Sequence, residues 1–112
     1  MQLMTPELEE KLKDYPLYSQ DGKGDKAEVI IKYFNPVGAG TWYVLEGNKQ
    51  ESGDYLFFGY VELLEGEYGY FTLGELESIQ IPLRMNGKVV DTARIERDLY
   101  TELKTIGEMK NY

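Results

Sequence analysis

Apolar residues recur along the chain with two different periods, and each change of period marks an element. Leu8, Leu12 and Tyr15 stand at i, i+4 and i+7, one stripe of a short helix behind Thr5-Pro6. Thr5 suits the cap, Pro6 the first helical position, and Glu7, Glu9 and Glu10 the positive end of the helix dipole. Pro16 predicts a stop at about Asp14. After the polar, glycine-punctuated loop 20–25 the period falls to two. From Glu28 to Phe34, Val29, Ile31 and Tyr33 share one face, with Glu28 and Lys32 opposite. Asn35-Pro36 ends this strand, and Gly38-Ala39-Gly40 turns the chain into a second strand, Thr41–Glu46, rich in aromatic and β-branched residues. A polar loop is expected from Gly47 to Asp54, followed by a third strand from Tyr55 to Leu64. Phe57, Val61 and Leu63 would line one face of it, and Leu56, Phe58, Tyr60 and Glu62 the other. Glu65-Gly66-Glu67 connects to a fourth strand, Tyr68–Phe71. Gly59 and Gly69 inside these strands point to bulges or close backbone approach.

Thr72-Leu73-Gly74-Glu75 has the spacing of a capping box. It predicts a short helix that presents Leu73, Leu76 and Ile79 and ends before Pro82. Asn86-Gly87 is a strong two-residue turn that would pair Leu83–Met85 with Lys88–Val90. Ile95, Leu99, Leu103 and Ile106 then recur at helical spacing, predicting a last helix with Gly107 as its stop. The expected fold class is therefore α+β, an antiparallel meander of about four strands with short N-terminal, middle and C-terminal helices. A chain of 112 residues suits a single domain with a core that needs no staples.

Composition narrows the chemistry. The chain has no cysteine and no histidine. Thiolate nucleophiles, disulfides, the common catalytic triads and the usual zinc ligands are thereby excluded. A non-enzymatic protein is expected, with no cofactor. The formal net charge of −8 disfavours phosphate backbones and anionic membranes. No apolar run approaches the ~20 residues needed to cross a bilayer, and the first residues lack the pattern of a signal peptide, so cytoplasm is the expected compartment.

Between Glu51 and Leu83 lie seven carboxylates (Glu51, Asp54, Glu62, Glu65, Glu67, Glu75 and Glu77) and no base. With Tyr60 and Tyr68 they are the candidate partner-binding residues. Gathered on one sheet face they would present a negative field to a basic protein surface, such as that of a nucleic-acid-binding host protein. The same carboxylates also serve as a plain solvated face. Among the aromatic residues, Trp42 and Phe58 are expected in ordinary packing. Tyr60 and Tyr68 stand between packing and interface, and Tyr43 and Tyr70 belong to the same set. In Glu96-Arg97-Asp98, Glu96 and Asp98 are expected to favour the start of the last helix through its dipole and Arg97 to pair locally, ahead of a carboxylate or phosphate clamp by Arg94 and Arg97. A Glu65/Glu67 dyad for hydrolysis or for Mg²⁺ or Ca²⁺ has no distinctive spacing, and Gly38-Ala39-Gly40 is a turn. The alternative function is a small ligand-binding or enzymatic domain with a Glu/Tyr/Arg pocket, or a structural subunit of a larger complex. Its sign would be a concave site that gathers Arg94 or Arg97, a tyrosine and a buried carboxylate.

Several segments taken together resemble a known family. They are Leu17-Tyr18-Ser19-Gln20, Lys32-Tyr33-Phe34-Asn35-Pro36, Thr41-Trp42-Tyr43, Leu56-Phe57-Phe58-Gly59, Gly69-Tyr70-Phe71, Glu75-Leu76-Glu77-Ser78-Ile79 and Ile95-Glu96-Arg97-Asp98-Leu99-Tyr100. The chain resembles the small bacterial domain-of-unknown-function family 2958 in register over roughly residues 3–100. That resemblance implies one compact domain and a setting on plasmids, phages and conjugative elements. It supplies no catalytic residues, and by association it suggests an anti-restriction or anti-CRISPR role. The Asn86-Gly87 hairpin looks added, and the tail after Tyr100 reads as helix where the family leads one to expect a Pro-containing end.

Overall fold

The computed structural model describes residues 1–110 and has an α+β architecture. Strands β1 (Ile31–Phe34), β2 (Thr41–Lys49), β3 (Tyr55–Glu62) and β4 (Gly66–Thr72) form the expected antiparallel meander. The helices are α1 (Pro6–Leu12), α2 (Leu73–Ser78) and α3 (Ile106–Lys110). Strands β5 (Gln80–Met85) and β6 (Lys88–Arg94) make a separate hairpin around Asn86-Gly87. A two-residue strand, β7 (Glu96–Arg97), pairs with β1, so the main sheet runs β4-β3-β2-β1-β7.

Side chains start the first two helices where the sequence places them. The Thr5 hydroxyl accepts from the Leu8 N–H at 3.3 Å, and that of Thr72 from the Glu75 N–H at 3.0 Å. Each bond satisfies an amide that the helix itself leaves unpaired. Strand β2 extends past its expected end because Lys49 still pairs with Tyr55, so the anticipated loop from Gly47 shrinks to a turn.

One face of the sheet carries the larger core. Ile31, Tyr33, Trp42, Val44, Phe57 and Phe71 pack there beneath Leu12 of α1 and Leu73 and Leu76 of α2. Trp42 is thus a packing residue, as expected. On the opposite face Tyr43 and Leu45 join Val29 under Ile106 and Met109 of α3. Val29 therefore does not share a face with Ile31 and Tyr33. Residues before Ile31 lie outside the regular ladder, and the Val29 N–H donates to the Lys104 carbonyl instead. Between Val44 and Glu46 strand β2 carries an extra residue. A Cβ on Gly59, which pairs with Val44, would overlap the Tyr43 carbonyl oxygen. Close backbone approach is the reason for glycine here.

The C-terminal segment departs most from expectation. No helix spans Ile95 to Ile106; Glu96 and Arg97 are extended along β1, and Leu99 is exposed. The Asp98 carboxylate accepts the N–H groups of Tyr100 and Thr101, both at 2.9 Å, and closes a turn that competes with helix. Helix begins only at Ile106. The Thr105 hydroxyl accepts from the Glu108 N–H at 3.3 Å and donates to its carboxylate at 2.9 Å. Gly107 lies inside α3 and does not stop it; a Cβ there would strike Asp25. Leu63 falls past the end of β3 and is exposed, so it is not part of the apolar face.

Candidate functional site

Helix α3 covers the β1–β2 half of one sheet face and leaves aromatic rings on the β3–β4 half. Antiparallel register sets Tyr43, Tyr60 and Tyr68 in one row and Phe58 and Tyr70 in the next. Tyr60 and Tyr68 meet edge to face with ring centroids 5.0 Å apart, Phe58 and Tyr70 also at 5.0 Å, and Phe58 stacks on Tyr68 at 6.2 Å. Phe58 is half-buried within this row, while Tyr68 and Tyr70 are 43% and 54% exposed. The Tyr60 hydroxyl lies over Gly66, so a Cβ there would have to push the ring aside.

A buried carboxylate extends the row. Glu46 accepts the N–H groups of Tyr18 and Gln20, each at 2.8 Å, and so fixes the loop that presents exposed Tyr18 with φ at 74°. The Gln20 amide is itself held by the backbone of Glu28 and Leu45. The Tyr70 phenol is raised above its ordinary pKa, first by the Tyr18 hydroxyl beside it, then by burial and by the charges of Glu46 and Asp21.

At the other end of the row sits a cation. The Lys110 ammonium lies 5.3 Å from the ring centroids of both Tyr60 and Tyr68. It donates to the Tyr68 hydroxyl at 3.2 Å and pairs with the Asp25 carboxylate at 2.8 Å. Hydrogen bonds to Asp25 and then to Tyr68 hold it above the usual lysine range. Ring quadrupoles attract an ammonium in this position.

The fold separates the acidic candidates. Glu62, two residues on from Tyr60, shares the ring face; after burial, its charge is the next cause raising the Tyr43 phenol. Glu67 pairs with Val61 and belongs to the opposite face. Glu65 is exposed in the β3–β4 turn and Glu51 in the β2–β3 turn at the far end of the sheet. Asp54 has a structural task, accepting from the N–H groups of Tyr55 at 2.7 Å and Gly74 at 2.9 Å. Glu75 and Glu77 ride on α2, which covers the face away from the rings. The expected single acidic, tyrosine-bearing side is therefore corrected. Period-two alternation and the crossing of α2 divide the carboxylates, and of the nine candidates the fold groups Tyr60, Glu62 and Tyr68. Sequence reasoning missed Tyr18, Asp25, Glu46 and Lys110. Glu46 left one signal, an acid directly after the apolar run Trp42–Leu45; Lys110 left none.

Arg94 lies in an open hollow beside Leu3, Leu76 and Glu77, where its guanidinium donates to the Glu77 carbonyl at 3.0 Å. The nearby Tyr33 hydroxyl is already donated to the Leu3 carbonyl at 2.7 Å, and burial raises its pKa. Two carboxylates line this hollow, Glu77 exposed and Glu96 half-buried, so neither is the buried carboxylate that the pocket alternative requires. Asp98 pairs with Lys32 at 3.0 Å, a structural role other than the expected one, since no helix starts at Glu96 or Asp98 for their charges to favour. Among the described residues no three carboxylates converge to hold a metal ion, and no helix is long and apolar enough to cross a membrane.

Comparison with curated proteins and with solved structures returns no match. The family described as "Protein of unknown function (DUF2958)" matches residues 3–110. Because that match takes in the whole meander, all three helices and the hairpin, the chain belongs to the DUF2958 family.

Proposed function

We propose that the protein is a small, acidic, non-enzymatic binding module that docks on a basic protein surface through the open ring face of its sheet. The carrying observation is Lys110, whose ammonium already rests on Tyr60 and Tyr68 beside Asp25. A face that holds its own lysine this way suits the lysines and arginines of a partner, with Glu62 adding charge at the same row. Tyrosines on an edge strand also make good anchors, since they bury large rings at low entropic cost. The mobile-element setting that the family resemblance implies directs attention to a host defence protein with a basic nucleic-acid-binding surface. Docking there is an anti-restriction or anti-CRISPR activity by occupation of the nucleic-acid site.

Purified restriction and CRISPR effector proteins are the partners to try, with nucleic-acid binding by the effector as the readout. Wild type should compete with the nucleic acid, and Tyr68→Ser or Glu62→Lys should weaken competition by about tenfold or more. Raising salt to about 0.5 M should weaken it as well. Competition that ignored both substitutions and salt would refute docking through the ring face.

A further inference from the structure

The β5–β6 hairpin lies off the main sheet and carries the opposite charge from the rest of the chain. Its base is seated, with Ile81 against the larger core and Arg94 on the Glu77 carbonyl. Beyond that base the ribbon is bare: Met85 is 64% exposed, Val90 60% and Val89 52%. Two antiparallel strands alone are marginal in water, and exposed aliphatic groups on both sides of such a ribbon mark a surface that association would bury. Between Gln80 and Arg94 stand three cations (Arg84, Lys88 and Arg94) and one carboxylate, Asp91. The remaining residues hold nine cations against nineteen carboxylates.

A surface that complements this arm exists on the same chain. At the β3–β4 turn a shallow hollow is lined by Val61, Leu63, Leu64, Glu65 and Glu67. Leu63 and Leu64 are exposed there, Leu64 almost completely. Across the tip Met85 pairs with Lys88 on one side of the ribbon and Arg84 with Val89 on the other, so each side offers an aliphatic group and a cation to the leucines of the turn and to Glu65 and Glu67. Among the described residues no ion pair joins arm and turn within one molecule; the Arg84 guanidinium donates to the Gly87 carbonyl in its own hairpin.

We infer that the chain self-associates, the hairpin tip of one copy seating on the β3–β4 turn of a second, with reciprocal exchange closing a two-fold dimer. Charge complementarity and paired aliphatic surface favour a second copy over nucleic acid. Three cations on a strongly acidic body are few for a phosphate backbone, and bare valines gain little from phosphates. The contact uses the turn and the Glu67 side of β4, so it stands independently of docking through the rings on the opposite side.

Sedimentation velocity from about 1 µM to about 1 mM spans the affinities of weak dimers. Wild type should pass from monomer to dimer across that range. Arg84→Glu/Lys88→Glu and Glu65→Lys/Glu67→Lys should each weaken the dimer by about tenfold or more. An equimolar mixture of the two variants should recover it, because each arm then meets a turn of opposite sign. Damage to the hairpin fold would abolish association too, but mixing would not repair it. A wild type that stays monomeric, association indifferent to both variants, or a mixture that fails to dimerise overturns the arm exchange. So does a duplex DNA oligonucleotide that the arm binds in preference to a second copy.

Discussion

Asp98 and Glu46 show how differently two carboxylates are used in this fold. Glu46 is buried behind Phe58 and holds a loop through two amides. Asp98 ties the C-terminal segment to β1. Burial by itself would push its carboxyl up, but the Thr101 side chain, the amides of Tyr100 and Thr101 and the Lys32 ammonium outweigh that, and hold it well below the usual carboxylate range. A folded-state pKa below the unfolded value of about 3.9 stabilises the fold above that pH. The contribution is lost as pH falls from about 4 towards the folded pKa, since the unfolded chain then binds the proton first. Asp98→Asn should cost about 2 kcal/mol at neutral pH, the typical scale for hydrogen bonds to a charged group. It should also flatten the acid limb of stability below about pH 4. Urea unfolding at a series of pH values reads both effects; an acid limb equally steep in wild type and variant would assign the linkage to other groups.

At the scale of elements, two glycines opposite one another test the sheet. Gly59 and Gly69 pair across β3 and β4, yet a Cβ on the first would overlap the Tyr43 carbonyl, while a Cβ on the second meets nothing within 4 Å. Gly59→Ala should therefore destabilise by about 3 kcal/mol or more, the upper range for overpacking. Gly69→Ala should gain about 0.5 kcal/mol by restricting the unfolded chain. Thermal melts distinguish the two, and a tolerated Gly59→Ala would mean that β2 is free to move away. The sequence made such features legible where their cause is local. Thr5 and Thr72 cap helices through amides three residues away, and Asn86-Gly87 adopts the positive φ values that its turn requires, 52° and 79°. The stretch from Ile95 to Ile106 misled because apolar spacing does not register competition. Pairing with β1 and the Asp98 turn depend on Lys32, Tyr33 and Phe34, distant in sequence, and they outweigh the helical period. Thr105 and Glu108 carried the better start signal, since each can satisfy the other within one turn.

Across the whole molecule, a run of carboxylates in sequence is dispersed over both sides and both ends of the sheet. Period two could show that Phe58, Tyr60 and Glu62 share a face, but not that α3 stops halfway across it or that Lys110 rests on its rings. It also could not show that α2 carries Glu75 and Glu77 to the other side of the sheet. This division gives a test in which two variants carry the same net charge. Glu62→Lys and Glu75→Lys change the formal charge equally, so long-range steering of a basic partner changes by a similar amount in both. They differ in where the new cation stands: Glu62→Lys puts it in the ring row, Glu75→Lys on the far side of the sheet. With a purified partner, Glu62→Lys should weaken equilibrium binding by about tenfold or more and mainly speed dissociation, whereas Glu75→Lys should stay within about twofold. Equal losses in the two variants would assign recognition to the total negative charge, and the tyrosine row would then be packing that happens to face water.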